Sequence, residues 1–336
     1  MRAPDLLVLS LFLMAGTCRP NQEVSKLPWN SERAGKDLKE LSLEPHPMGS
    51  ARIKVLADYL DTEMKNVGME TGRDSFTSLV PDPDLFGLEA NPMRSMTLSM
   101  PMQNVFAKLK SGRDNCALLV ASHYDSKRLP QGPSIGANDS GSSSVAILEL
   151  MRGLKNTNVK LRCHIVAVWF DGEESYLPEW RDGQTRHPAR IVDNTYGSRH
   201  LADSLQACGD PNTKTWCLPQ IWGGERVEGL ILLDMVGMEN LRLTPESRST
   251  PALMSLAMEL DKQMFAGQLF GNSLFKAVED DHIPFLEKGI PSLDLIGFEN
   301  LDTWHQPTDT FERVSMKSVQ QSAELTAAIV RKLLGE

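Results

Sequence analysis

The stretch CALLVASHYD, residues 116–125, decides how the chain is read: a short apolar, β-rich run that ends in His123 and Asp125. One such run is only a strand followed by polar residues. The pattern recurs, however, in CHIVAVWFDG (163–172), GLILLDMVG (229–237) and PSLDLIGF (291–298), with NVFAKLK (104–110) as a further run. Helical periodicity fills the intervals, in SSVAILELMRGLKN (143–156), PALMSLAMELDKQMF (251–265) and SVQQSAELTAAIVRKLLG (318–335). Strands alternating with helices predict an α/β fold with a mixed, mostly parallel sheet and helices on both faces. GSARIKVLADYLDTEMKNVG (49–68) adds an amphipathic helix that should stop at Gly68. Residues 70–104 read as irregular edge structure and 175–196 as a long surface loop.

Open α/β sheets place their chemistry at the carboxyl ends of the strands. There the runs deliver His123 and Asp125, then Asp171, Glu173 and Glu174, then Asp234, with His305 following the last run. Asp139, in GANDSGSSS (136–144), opens a helix between the first two. Each alone has an ordinary structural reading: Asp139 as a helix N-cap, the glutamates as an exposed turn, His305 as a surface residue. Convergence of imidazoles and carboxylates from separate strand ends, without thiolate, points instead to a catalytic zinc site. Asp125 suits the role of orienting His123 by accepting its ring proton.

The bulk numbers bound the alternatives. The 336 residues, 41% apolar and 24% charged, suffice for one large globular domain. A net charge of −9 argues against nucleic acid as a partner and mildly favours cationic groups such as a peptide α-amine. Residues 1–17 read as a signal peptide, with an apolar run too short to span a bilayer. Secretion, or export to the periplasm, is the first reading, and a lipoprotein anchor at Cys18 the second. Residues 18–35 read as a polar linker and 36–336 as a single domain, expected to be a monomer with no membrane span. Cys208 and Cys217 flank a turn-rich loop that a disulfide could close, whereas Cys116 and Cys163 read as buried free thiols. No CxxC pair occurs, which argues against a cysteine zinc site.

As an ordered set, His123-Tyr124-Asp125, Asn138-Asp139-Ser140-Gly141, Asp171-Gly172-Glu173-Glu174, Asp234 and His305 resemble the zinc aminopeptidase family that also contains the animal-type glutaminyl cyclases. The resemblance runs from about residue 45 to the end. It implies that Asp139, Glu174 and His305 hold one Zn²⁺, with peptide or protein N-termini as substrates. In a two-metal aminopeptidase, His123 and Asp234 would complete a second site that Asp139 bridges. Glu173 would be the general acid/base.

The two branches diverge in VEDDHIPFLEKGIPSLDLI (278–296). Aminopeptidases of the family tend to carry Ser-Asp-His where this chain has Asp280-Asp281-His282, a cyclase-like triplet. The resemblance implies that Asp280 joins Glu173 and Asp234 in a relay to departing ammonia. It also makes Trp304 a wall of the glutamine pocket and Trp180 a lid residue, although YLPEW (176–180) is one residue longer than the cyclase pattern. YGSRHLA (196–202) is similarly cyclase-like. GANDSGSSS and WHQPTDT (304–310) are aminopeptidase-like, and Ser122 stands where animal cyclases have a cysteine. The preferred reading is a one-zinc glutaminyl cyclase. The alternative is a di-zinc aminopeptidase, and a non-catalytic relative is third because every candidate ligand is kept. His164, His187 and His200 read as structural or exposed, and His282 reads as structural first, with a functional role left open by its position near the site.

Overall fold

The computed structural model describes residues 26–84, 97–130, 132–157, 159–178, 182, 192–209 and 215–335. The expected signal peptide, Cys18, Trp180 and His187 lie outside the described residues. Four strands form the parallel centre: β3 (Cys116–His123) lies between β4 (His164–Phe170) and β7 (Arg226–Asp234), and β9 (Ser292–Ile296) follows β7. Antiparallel strands extend both sides. β2 (Thr97–Leu109) pairs with β4 and with β1 (Glu70–Pro81), while short β8 (Thr244–Pro245) pairs with β9. The short pair β5 (Gln206–Ala207) and β6 (Trp216–Cys217) adjoins the start of β7.

The central runs are apolar throughout because both faces of the sheet are covered. In β3, Leu118 and Val120 pack into one core with α1 (Ser31–Leu41), α2 (Ala51–Asn66), α3 (Ser143–Thr157), α5 (Pro251–Phe265) and α7 (Met316–Leu334). Ala117, Leu119 and Ala121 of the same strand face a second core with Leu201 of α4 (Tyr196–Ser204) and Phe285 of α6 (Ile283–Glu287). Side chains alternate across a strand, so one apolar run feeds two layers. Each buried Leu or Val stabilises the fold by roughly 1.5–3 kcal/mol, and this burial fixes the strand ends that carry the site.

Three expectations are corrected. The described parts of residues 70–104, 70–84 and 97–104, are not irregular edge structure: β1 and β2 pair over twelve positions, from Glu70↔Lys108 to Pro81↔Thr97. β1 is a half-exposed edge strand and the first half of β2, which pairs with it, is also only partly buried, so both left little apolar signal. The linker expected through residue 35 stops earlier, since α1 starts at Ser31 with the Asn30 side chain accepting from Arg33 N at 3.0 Å. Ala34, Leu38 and Leu41 give α1 a buried face, and Arg152 of α3 ties Asp37 to Glu149 and Glu63. Finally, Cys116 and Cys163 form a disulfide rather than two free thiols. The parallel register Ala117↔His164 places the preceding residues side by side, with Cα atoms 4.8 Å apart. Cys208 and Cys217 also form a disulfide, a pairing that the sequence left open. No described helix is long and apolar enough to cross a membrane.

Candidate metal centre

His123 is the last residue of β3, and its ring is held from both sides. Nδ1 lies 3.1 Å from the Asp125 carbonyl oxygen and 3.4 Å from Asp125 Oδ1. Nε2 lies 3.0 Å from Asp139 Oδ1 and 3.3 Å from Asp234 Oδ1, the latter on the last residue of β7. The Asp125 carboxylate also accepts from Glu173 N at 3.0 Å and Glu174 N at 3.3 Å. Asp125 therefore sets the two glutamates as well as the imidazole. The glutamates can turn back towards the strand ends because Gly172 adopts φ +73°, where a Cβ would lie 2.9 Å from Met102 Sδ.

Asp139 does not cap a helix. It sits in an irregular turn, Ala137–Ser142, ahead of α3, and its peptide bond to Ser140 is cis. Asp309, in the WHQPTDT segment, accepts from Asn138 N at 2.8 Å and Asp139 N at 3.0 Å. That fixes the turn with one Asp139 oxygen facing His123 and the other 3.7 Å from His305 Nε2. His305 Nε2 is also 3.1 Å from Glu174 Oε2, which lies 3.6 Å from the buried Lys127 Nζ.

Two donor groups result, His123/Asp139/Asp234 and Asp139/Glu174/His305, the ligand atoms of each lying within 4.8 Å of one another. Their nitrogen and oxygen donors suit zinc. The second group also leaves Glu174 Oε1 buried with no hydrogen-bond partner among the described residues, which a cation would satisfy. The residues thus fit the metal.

A cavity of about 300 Å³ opens beside these groups, lined by Glu173, Asp234, Asp280, Phe298 and Trp304 among others. Trp304 stacks on His305 at 4.2 Å and meets Phe298 edge-on at 5.6 Å, so an aromatic wall adjoins the ligand set. Burial, reinforced by the Asp280 charge, pushes the Glu173 carboxyl well above the usual range. Burial likewise raises Asp280, helped by Asp234 and Asp281. One Asp280 oxygen accepts from Asp281 N at 2.6 Å, and Oδ2 has no hydrogen-bond partner among the described residues.

Other sequence candidates take structural places. Asp171 accepts from Gln103 N at 2.8 Å and links β4 to β2. His164 accepts from Gly112 N at 3.1 Å, and His200 stacks on Phe76 at 4.2 Å. His282 is buried against Glu246 at 3.2 Å. Sequence reasoning missed Glu246, Asp294 and Asp309. Asp294 left a signal as a carboxylate in the middle of a mostly apolar strand, and Asp309 lay in the recognisable WHQPTDT segment without a role read for it, whereas Glu246 left none.

The model of peptidase family M28 matches residues 104–330, more than half of the chain. The mouse (Mus musculus) glutaminyl-peptide cyclotransferase-like protein is 28% identical over 271 residues, 74% of this chain and 65% of that protein. The chain thus covers slightly less than two thirds of this curated relative's length. Among solved structures, a Fimbriiglobus ruber glutaminyl cyclase is similar with a TM-score of 0.72 at 22% identity, covering 94% of this chain and 99% of that one. A Zn-dependent exopeptidase from Parabacteroides distasonis gives a TM-score of 0.68 at 21% identity, covering 90% and 99%. At such identities these structures establish a shared fold.

Proposed function

The chain belongs to peptidase family M28, and from that premise we propose that it is a zinc-dependent glutaminyl-peptide cyclotransferase, converting N-terminal glutamine to pyroglutamate with release of ammonia. One observation carries this reading. The Asp280 carboxylate, which an aminopeptidase does not require, lines the same cavity as Glu173 and Trp304. Similarity to a cyclotransferase-like protein and the fold shared with a glutaminyl cyclase support it.

Zinc held by Asp139, Glu174 and His305 would supply Lewis acidity to the glutamine γ-carbonyl. Trp304 and Phe298 bind the glutamine side chain and exclude water from it. Holding the α-amine close to the amide carbon makes the attack intramolecular, so no water nucleophile is needed. Glu173 removes a proton from the amine as its nitrogen bonds to Cδ, then passes that proton to the departing amide nitrogen as the C–N bond breaks. A raised pKa suits this task, because the carboxyl must hold a proton near neutral pH and release it again. Asp280 and Asp234 extend the relay and share the proton burden with Glu173.

A di-zinc aminopeptidase is the second reading, favoured by the intact His123/Asp139/Asp234 group. Zinc content discriminates, with about one ion per chain for the cyclase and two for the peptidase. Ammonia released from a Gln-initiated peptide, and none from its Leu-initiated counterpart, tests the proposal; free amino acid released from both sinks it. The apolar N-terminal run supports export, so exported peptides or proteins are the proposed substrates. We place the enzyme outside the cytoplasm as a monomer, with a Cys18 lipid anchor as the alternative to free secretion.

A further inference from the structure

Two separated segments contribute neighbouring parts of the cavity wall, Arg248 from the turn after β8 and residues 277–280 from the loop before α6. A single side chain joins them. Glu246 is only 1% exposed, and four donors converge on its carboxylate. Oε1 accepts from Arg248 N at 2.9 Å and Val278 N at 3.2 Å. Oε2 accepts from Ser249 N at 2.5 Å and the His282 ring at 3.2 Å. A carboxylate offers only lone pairs, so His282 Nε2 is the donor in that last contact. Backbone bonds run alongside, with Lys276 N donating to Pro245 O at 3.1 Å and Ser247 N to Lys276 O at 2.8 Å.

The spacing of the contacts gives them meaning. Val278 and His282 lie two residues before and two after Asp280. Glu246 thus grips the chain on both sides of Asp280, a residue that lines the cavity. Burying a carboxylate costs desolvation that an apolar filler would avoid. What four directed hydrogen bonds supply in exchange is position. A neighbouring acid, Asp294, lies 3.8 Å from His282 Nδ1, too far for a hydrogen bond, so orientation of the ring falls to Glu246.

We propose that Glu246, working through Val278 and His282, is the positioning residue for Asp280 in the cyclisation reaction. The inference rests on the cyclase reading, since Asp280 has work to do only there. A displacement of about 1 Å at a reacting group costs on the order of 100-fold in rate. Loosening this clamp should therefore lower kcat rather than weaken binding of the glutamine, which the Trp304 wall and the metal ligands hold independently.

The test measures kcat and KM for ammonia release from a Gln-initiated peptide, with zinc content and thermal stability of the same samples. Glu246→Gln should lower kcat by about 10–100-fold, with KM within about 3-fold and zinc unchanged. In an Asp280→Asn background the same change should have little further effect, because the group it positions is already gone. A full-rate Glu246→Gln enzyme, a rise in KM alone, or equal losses in both backgrounds overturns the proposal. If Glu246→Gln does not fold, His282 provides the second route. His282→Gln keeps a donor for Glu246 and should stay within about 3-fold of wild type, whereas His282→Leu should lose kcat like the clamp variant. Equal kcat in the two His282 variants refutes the proposal. A wild-type protein that releases no ammonia refutes the cyclase reading and the clamp with it; normal wild-type turnover with an indifferent clamp refutes the clamp alone.

Discussion

Replacing Asp280 with Asn isolates the chemistry of this site from its architecture. Asp280 is 2% exposed, and its bond from Asp281 N at 2.6 Å survives because Asn keeps one acceptor oxygen. The other oxygen becomes an amide NH2 in a cavity that also presents Glu173 and Asp234, both acceptors when ionised. Burial and the neighbouring acids disfavour the charged form of Asp280, so a neutral amide in its place should leave folding stability unchanged or raise it. None of the zinc donor groups includes Asp280, so metal content should not change. On the proposed function, what disappears is a proton-carrying group. Loss of a positioned acid/base costs about 10²–10⁴ in rate, or roughly 3–5 kcal/mol of transition-state stabilisation. The assay is steady-state ammonia release from a Gln-initiated peptide, read beside a thermal melt and zinc analysis. A fall of that size in kcat with an unshifted or higher Tm is expected. Turnover within about 3-fold of wild type would show that the acid is incidental, as a peptidase would have it.

Three further perturbations test separate parts of the account. Glu173→Gln should lower kcat by about 10²–10⁴ while zinc stays bound; loss of the metal would make Glu173 a ligand and reverse its assignment with Glu174. Arg152→Met leaves Asp37 and Glu149 buried without their shared cation and should cost about 3–5 kcal/mol, lowering Tm by roughly 6–10 °C. A drop under about 2 °C would mean that the cluster contributes little to docking α1 on α3. Burial alone would raise the Glu246 carboxyl, but His282 and the backbone donors bring it from 4.5 down to about 2. A depressed folded value stabilises the fold above the unfolded value and loses that contribution as pH falls, on the order of 3 kcal/mol in all. The urea-unfolding stabilities of wild type and Glu246→Gln should therefore draw together as pH falls from about 5 towards about 2, and a constant difference over that range contradicts the assigned hydrogen bonds.

The centre of the fold was legible because β3, β4, β7 and β9 are apolar on both faces and end in chemically distinctive residues. The ligand groups followed, since strand ends converge wherever such strands lie parallel. β1 was not legible, because an edge strand burying only part of one face leaves a sequence such as ETGRDSFTSLVP (70–81) mostly polar. The α1 helix had a signal in Ala34, Leu38 and Leu41, masked by the charged residues between them. The Cys116–Cys163 disulfide depends on the β3–β4 register, which neither run reveals alone. Glu246 was invisible for a related reason: its contact with His282 spans 36 residues and has no motif. The WHQPTDT segment had a recognisable pattern but no evident task until Asp309 was found holding the Asp139 turn.

The central claim, that Asp280 and Glu173 serve an intramolecular attack rather than hydrolysis, is tested most directly by one mass spectrum. The protein is incubated with zinc and a single Gln-initiated peptide, and the product is weighed. A peptide of unchanged length, lighter by one ammonia, is the predicted product. A peptide shortened by its first residue, with free glutamine beside it, contradicts the account.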